Sequence, residues 1–317
     1  MALPSGPGPR REQAGDGVVS DRLEWTSTVV EGRSTVYGVA GDGLPVVFLH
    51  GWGLGQHSYK RALSRLVHLG CRVYAPALPG FGGTGELGSR DFSFGGYAAW
   101  VDEFMTSVGI EEPVFLIGHS FGGGVAIKLA HDFGARVRTL VLVNSVGGST
   151  WSSAGSKVRS MAERPLWDWG LHFPSDVLPL PQLTRIIPVM LEDALPNALR
   201  NPRAMWRVAQ LARKADLTEE LEQLKLRGIP VVVLWGDKDQ IIPRASFDAL
   251  CQAIGSPGEV VRGTHSWLLA DPESFGEVMT NIVSVARIAR EDEKHQAEPR
   301  PRRLRTLRRP KAADIEH

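Results

Sequence analysis

The sequence predicts an open α/β fold: a mostly parallel central sheet, helices on both of its faces, and a helical cap inserted late. Three observations predict it. Short runs such as PVVFLH (45–50) and PVFLIG (113–118) are apolar throughout rather than alternating, as strands buried on both faces are. These runs take turns with stretches of helical length, the pattern of parallel strands joined by crossover helices. The rhythm then stops between residues 145 and about 216, where prolines and tryptophans replace the strand-like runs.

In chain order, residues 1–20 are rich in Gly, Pro and charge and hold little to bury, so a disordered segment is expected there. Residues 23–30 and 34–40 read as a hairpin turned at Glu31, Gly32 and Arg33. Strand runs follow at 45–50, 71–75, 113–118, 137–144, 230–236 and 259–263. Helices are expected to start near Gln56, Ser93, Ser120, Pro243 and Asp271. This reading places an α/β core at 21–145 and 217–290 and a helical cap at 146–216, with no strand in the cap. The cap segment is too short, and too rich in proline and tryptophan, for a core of its own. No internal repeat is found. From 291 to 317 the chain is charged and reads as a disordered tail. From Arg300 to Lys311 its charges are all basic and no aromatic interleaves them, so base stacking has no partner. Weak contact with an anionic membrane is the partner this stretch would fit; nucleic acid is not expected.

Composition narrows the class further. Lys and Arg total 36 against 35 for Asp and Glu, a formal net charge of +1, so no whole-molecule field attracts nucleic acid. Cys71 and Cys251 are too few for a disulfide framework and read as buried free thiols. No C-x-x-C or Cys/His cluster is present, so neither a metal nor a cofactor is expected. The first residues lack the apolar stretch of a secretory signal, and no apolar run approaches the ~20 residues of a membrane span. A soluble, cytoplasmic protein is the expectation.

The chemistry-bearing motif is Gly118-His119-Ser120-Phe121-Gly122, a G-x-S-x-G pattern. Alone it is weak in a glycine-rich chain. Its context strengthens it: a strand run precedes it and a helix-compatible stretch, GVAIKLAHDF, follows. On such a strand-to-helix turn the flanking glycines leave room for close backbone approach, and the helix start favours developing negative charge. A serine hydroxyl is nearly inert at neutral pH and needs a base that is itself held by an acid. Asp237 and Asp239 follow one strand run and His265 follows the last, and ligand sites in open α/β sheets gather at such strand ends.

With serine, aspartate and histidine in that order, residues 23–288 resemble the α/β-hydrolases, in the cap-bearing branch of esterases, C–C hydrolases and haloperoxidase-like enzymes. The resemblance implies that Asp239 is the acid and Asp237 a turn residue. Some members carry the acid after an earlier strand; here Asn144 and Ser145 stand there. It also implies that His50-Gly51-Trp52-Gly53 is the oxyanion loop, with the backbone amides of Trp52 and Phe121 as donors and His50 as a brace. The segment 74–85 resembles the family's D-x-x-G-x-G-x-S loop, departing from it at Ala77 and Thr84. Ser120 as nucleophile weakens the epoxide hydrolase and haloalkane dehalogenase branches, which attack with a carboxylate. The cap tryptophans Trp151, Trp167, Trp169 and Trp206, together with Trp267, point to an apolar acyl pocket. A cofactor-free serine hydrolase of small carboxylic esters is the implied function. C–C bond hydrolysis or perhydrolysis on the same residues, or ligand sensing with little turnover, stay open.

Overall fold

The computed structural model describes residues 22–152, 158–165, 168 and 193–297. The segments 1–20 and Arg300 to Lys311, as well as Trp167 and Trp169, lie outside the described residues.

The chain opens with a hairpin of β1 (Glu24–Val30) and β2 (Arg33–Ala40). Glu31 and Gly32 both have positive φ, as a two-residue turn matching the twist of its strands requires. β3 (Leu44–Leu49) follows, then α1 (Lys60–His68), β4 (Cys71–Pro76) and α2 (Phe94–Ser107). Ser93 caps α2 by accepting from the Gly96 amide. Next come β5 (Val114–His119), α3 (Phe121–Asp132) and β6 (Val137–Val143).

The interval expected to be wholly helical contains a short antiparallel ribbon, β7 (Thr150–Ser152) against β8 (Val158–Ser160). This corrects the strand-free reading. Three-residue strands are too short to show a period, although Thr150, Trp151 and Val158 have the side chains that strands favour. Beyond the ribbon lie α4 (Leu195–Arg200) and α5 (Pro202–Arg213).

The core resumes with α6 (Thr218–Leu226), β9 (Val231–Gly236), α7 (Arg244–Ile254), β10 (Glu259–Val261), α8 (Trp267–Ala270) and α9 (Pro272–Ala297). α9 runs into the segment read as a tail from 291. Its residues there, EDEKHQA, are mostly good helix formers, and no Gly or Pro interrupts them before Pro299.

The eight-stranded sheet has the order β1-β2-β4-β3-β5-β6-β9-β10, parallel from β4 onward. Both faces are buried. Along β5, Val114 and Leu116 join the cluster under α2, α3 and α7, while Phe115 and Ile117 join the cluster under α1 and α9. The chain leaves β3 toward β4 on one side and returns as β5 on the other. Their carboxyl ends therefore flank a switch point, where ligands of open α/β sheets bind.

Candidate active site

Ser120 sits on the turn between β5 and α3 with φ 54° and ψ −116°, a conformation that costs a non-glycine residue energy. Close packing holds it there. A Cβ on Gly118 would lie 2.5 Å from the Gly122 carbonyl oxygen, and one on Gly122 would lie 2.3 Å from that of Leu49. Neither position admits a side chain. The turn places the Ser120 hydroxyl at the start of α3, whose first amide, that of Phe121, has no partner within the helix.

The structure brings Ser120, His265 and Asp239 together from separate strand ends. His265 Nε2 lies 3.0 Å from Ser120 Oγ and accepts its proton in a hydrogen bond. His265 Nδ1 donates to Asp239 Oδ2 at 2.8 Å. The other oxygen, Oδ1, accepts from the amides of Ile241 and Ile242, both at 2.8 Å. All three side chains are buried. Asp237 stands apart: it is exposed and accepts from the Gly263 amide at 2.9 Å, tying the loop after β9 to the one that carries His265.

The network reaches further residues whose bonds the sequence does not reveal. Asn144 Nδ2 donates to Asp239 Oδ2, and the Trp267 indole donates to Asn144 Oδ1 at 2.8 Å. Trp267 is therefore no pocket wall: it is buried beside Phe275 in the cluster on the α9 face. His119, the variable residue of the motif, donates from Nε2 to the His265 carbonyl at 3.1 Å and accepts at Nδ1 from the Tyr59 hydroxyl at 2.8 Å. Tyr59 in turn accepts from the Gly51 amide at 3.0 Å. Burial, and after it the neighbouring His265, hold the His119 pKa well below its usual value.

His50 spans two loops: Nδ1 donates to the Gly51 carbonyl and Nε2 accepts from the Leu78 amide, each at 2.9 Å. Burial pushes its pKa down to about 4, so both bonds are those of a neutral ring. Gly53 has φ 76°, which bends the 50–53 loop back toward the cap. There the Trp52 indole donates to the Met205 carbonyl at 2.8 Å. Asn197 donates to the Gly53 carbonyl at 3.2 Å and accepts from the Gly82 amide at 3.0 Å. Asp193 accepts from both the amide and the hydroxyl of Ser58. Across the site, the buried Arg164 donates to the carbonyls of Gln240 and Ile241, next to Asp239.

The free thiols lie away from this cluster. Burial raises the pKa of both, that of Cys71 to about 11, which leaves them poor nucleophiles. Among the described residues, no group of three His, Cys, Asp or Glu is placed to hold a metal ion.

A family model described as "Alpha/beta hydrolase family" matches residues 46–278, from β3 into α9. The chain belongs to this family. Among similar α/β-hydrolases is a protein of Mycobacterium phage D29, provisionally named a non-heme haloperoxidase. It is 28% identical over 269 residues, covering 80% of this chain and 92% of the phage protein. The pimeloyl-[acyl-carrier protein] methyl ester esterase of Aeromonas hydrophila is 26% identical over 257 residues, covering 77% and 96%. Among solved structures, an esterase from Exiguobacterium antarcticum shares the α/β-hydrolase fold with a TM-score of 0.64 at 20% identity, covering 83% of this chain and 99% of that one.

Proposed function

We propose that this α/β-hydrolase cleaves carboxylic esters of small, apolar acyl groups through Ser120, His265 and Asp239. The observation that carries the reading is the imidazole placed 3.0 Å from the serine hydroxyl and 2.8 Å from the carboxylate. In the reaction, His265 Nε2 takes the proton from Ser120 Oγ as the oxygen attacks the ester carbonyl. Asp239 keeps Nδ1 protonated and stabilises the imidazolium that forms. The developing oxyanion is held by the backbone amides of Trp52 and Phe121, each such donor supplying about 3–4 kcal/mol of barrier lowering. The imidazolium then gives its proton to the leaving alkoxide. Water, deprotonated by the same ring, hydrolyses the acyl-enzyme. The methyl ester esterase among the relatives supports ester chemistry, and the core is read as 21–145 and 217–290 with 146–216 as the cap over the site.

Stopped-flow hydrolysis of short p-nitrophenyl esters tests this. The wild type should show a burst of p-nitrophenol as the acyl-enzyme fills, and Ser120→Ala should abolish it while lowering kcat by about 10⁴-fold or more. A Ser120→Ala variant that hydrolyses these esters as fast as the wild type would reject the reading. So would a wild type with no turnover of any labile ester, which would favour a ligand sensor.

A further inference from the structure

Beyond the reaction, the outer side of the cap carries a surface that the active site does not use. α5 buries Ala204, Val208, Ala209 and Ala212 against the core. At helical spacing its opposite side presents Arg203, Trp206 and Arg207, and Lys214 follows directly on its last residue. Trp206 is 60% exposed, and on the adjoining α4 Leu195 and Leu199, one turn apart, are 48% and 73% exposed. Large apolar side chains left exposed on two consecutive helices are candidates for an interaction site.

The charge around them has one sign. Between residues 194 and 214 the chain holds Arg200, Arg203, Arg207, Arg213 and Lys214 and neither Asp nor Glu. Arg207 is committed to Glu86 at 3.3 Å and to the ring of Phe92, and Arg213 donates to the Arg164 carbonyl. Arg200, Arg203 and Lys214 are exposed. At the end of α5, a recess of about 350 Å³ is lined by Arg159, Arg213 and Lys214 with the hydroxyl residues Ser149, Thr150 and Ser160, and by Asp216 as its one acid.

We propose that this face of the cap docks on the surface of a bilayer containing anionic phospholipid. Trp206, Leu195 and Leu199 enter the boundary between headgroups and acyl chains, Arg200, Arg203 and Lys214 meet the headgroup charge, and the recess takes a headgroup phosphate. Tryptophan beside leucine and arginine is the composition that partitions to such a boundary. A nucleic acid would be met by the cations but would leave the leucines in water, whereas the tryptophan, leucines and arginines together match the layered boundary of a bilayer, and this sets the bilayer ahead. The surface is separate from the serine chemistry and stands whether or not Ser120 is the nucleophile.

Cosedimentation of the full chain, tail included, with vesicles of phosphatidylcholine alone or mixed with phosphatidylglycerol tests the proposal. The wild type should pellet with the mixed vesicles and not with phosphatidylcholine, and salt should weaken the binding. Arg203→Gln and Lys214→Gln should each weaken it about fivefold. Leu199→Ser with Trp206→Ser should weaken it at unchanged charge, with circular dichroism showing all variants folded. Three results would overturn the proposal: no binding to mixed vesicles, binding by every cap variant equal to the wild type, or weakening by the charge substitutions alone. The last would replace the bilayer with an acidic macromolecule met by charge.

Discussion

At Asp239 the two carboxylate oxygens face different partners, and the difference sets what a substitution does. Asn at this position could turn an N–H toward His265 Nδ1 and favour the wrong tautomer, so Asp239→Asn should lower kcat by about 10³–10⁴-fold. Asp237→Asn keeps an acceptor for the Gly263 amide and should stay within a few-fold of wild type. Ester kinetics on the two variants decide the acid, and the reverse order would reassign it. Asn144 has φ 46°, which asparagine tolerates, and it shares Asp239 Oδ2 with His265. Its amide draws negative charge off that oxygen. In Asn144→Ala the carboxylate should favour the imidazolium more strongly, and the acid limb of kcat/KM should move to higher pH. A merely structural role would lower the rate without moving the limb.

The buried histidines add a prediction about stability. Unfolded, His50 takes a proton near pH 6.5; folded, it does not until about pH 4, and His119 is depressed in the same direction by burial. The unfolded chain therefore binds more protons in this window. Stability should fall as pH drops from about 6.5 toward 4, by at most about 1 kcal/mol per pH unit from His50, with His119 adding in the same direction. Urea unfolding across this range measures it; a midpoint that does not move would contradict the neutral, buried rings. Ser120, Asp239 and His265 were legible because a local motif and strand-end positions mark them. His119 and Tyr59 were not: each acts through a partner far along the chain, and nothing in its neighbours names that partner. For the same reason Asn144, at an alternative acid position, and Trp267, read as a pocket residue, did not reveal their bonds.

At the scale of elements, α4 and α5 are tied to the loops of the candidate site. α4 and the residues around it grip the 50–53 loop and the 77–84 loop through Asn197, while Met205 holds the Trp52 indole. The amide assigned to the oxyanion belongs to Trp52 itself, so its aim depends on these contacts. Asn197→Ala removes the partner of the buried Gly53 carbonyl, at about 1–3 kcal/mol, and of the half-buried Gly82 amide. It should lower kcat by about tenfold or more with a smaller change in KM, since the loop serves the transition state more than substrate binding. Asn197→Asp keeps the acceptor for Gly82 and should fall between the two; equal kcat in all three proteins would rule out cap support of the loop. Ala77 stands where the resembled loop carries aspartate, so other groups brace that segment. The His50 ring, the Tyr97 hydroxyl on the Pro79 carbonyl, and Asn197 do so. The core strands were readable because continuous apolar runs are long enough to show. The ribbon of β7 and β8 was not, since its three-residue strands are defined by pairing with each other rather than by a pattern.

At the scale of the whole molecule, the near-balanced charge hides a local asymmetry: α4 and α5 carry Arg200, Arg203, Arg207 and Arg213 and no acid. The sheet order explains the site's position. β3 and β5 are neighbours that hand the chain to opposite sides, so His50–Gly53 and Ser120 meet at their ends, and β9 and β10 bring Asp239 and His265 to the same rim. No described helix is long and apolar enough to cross a membrane. The account rests on Ser120 being a nucleophile activated by His265, and covalent labelling with a fluorophosphonate, read by peptide mass spectrometry, tests that most directly. The wild type should carry one adduct, on Ser120, and His265→Ala should label far more slowly. An unlabelled wild type, an adduct on another residue, or a His265→Ala variant labelled at the wild-type rate would contradict it.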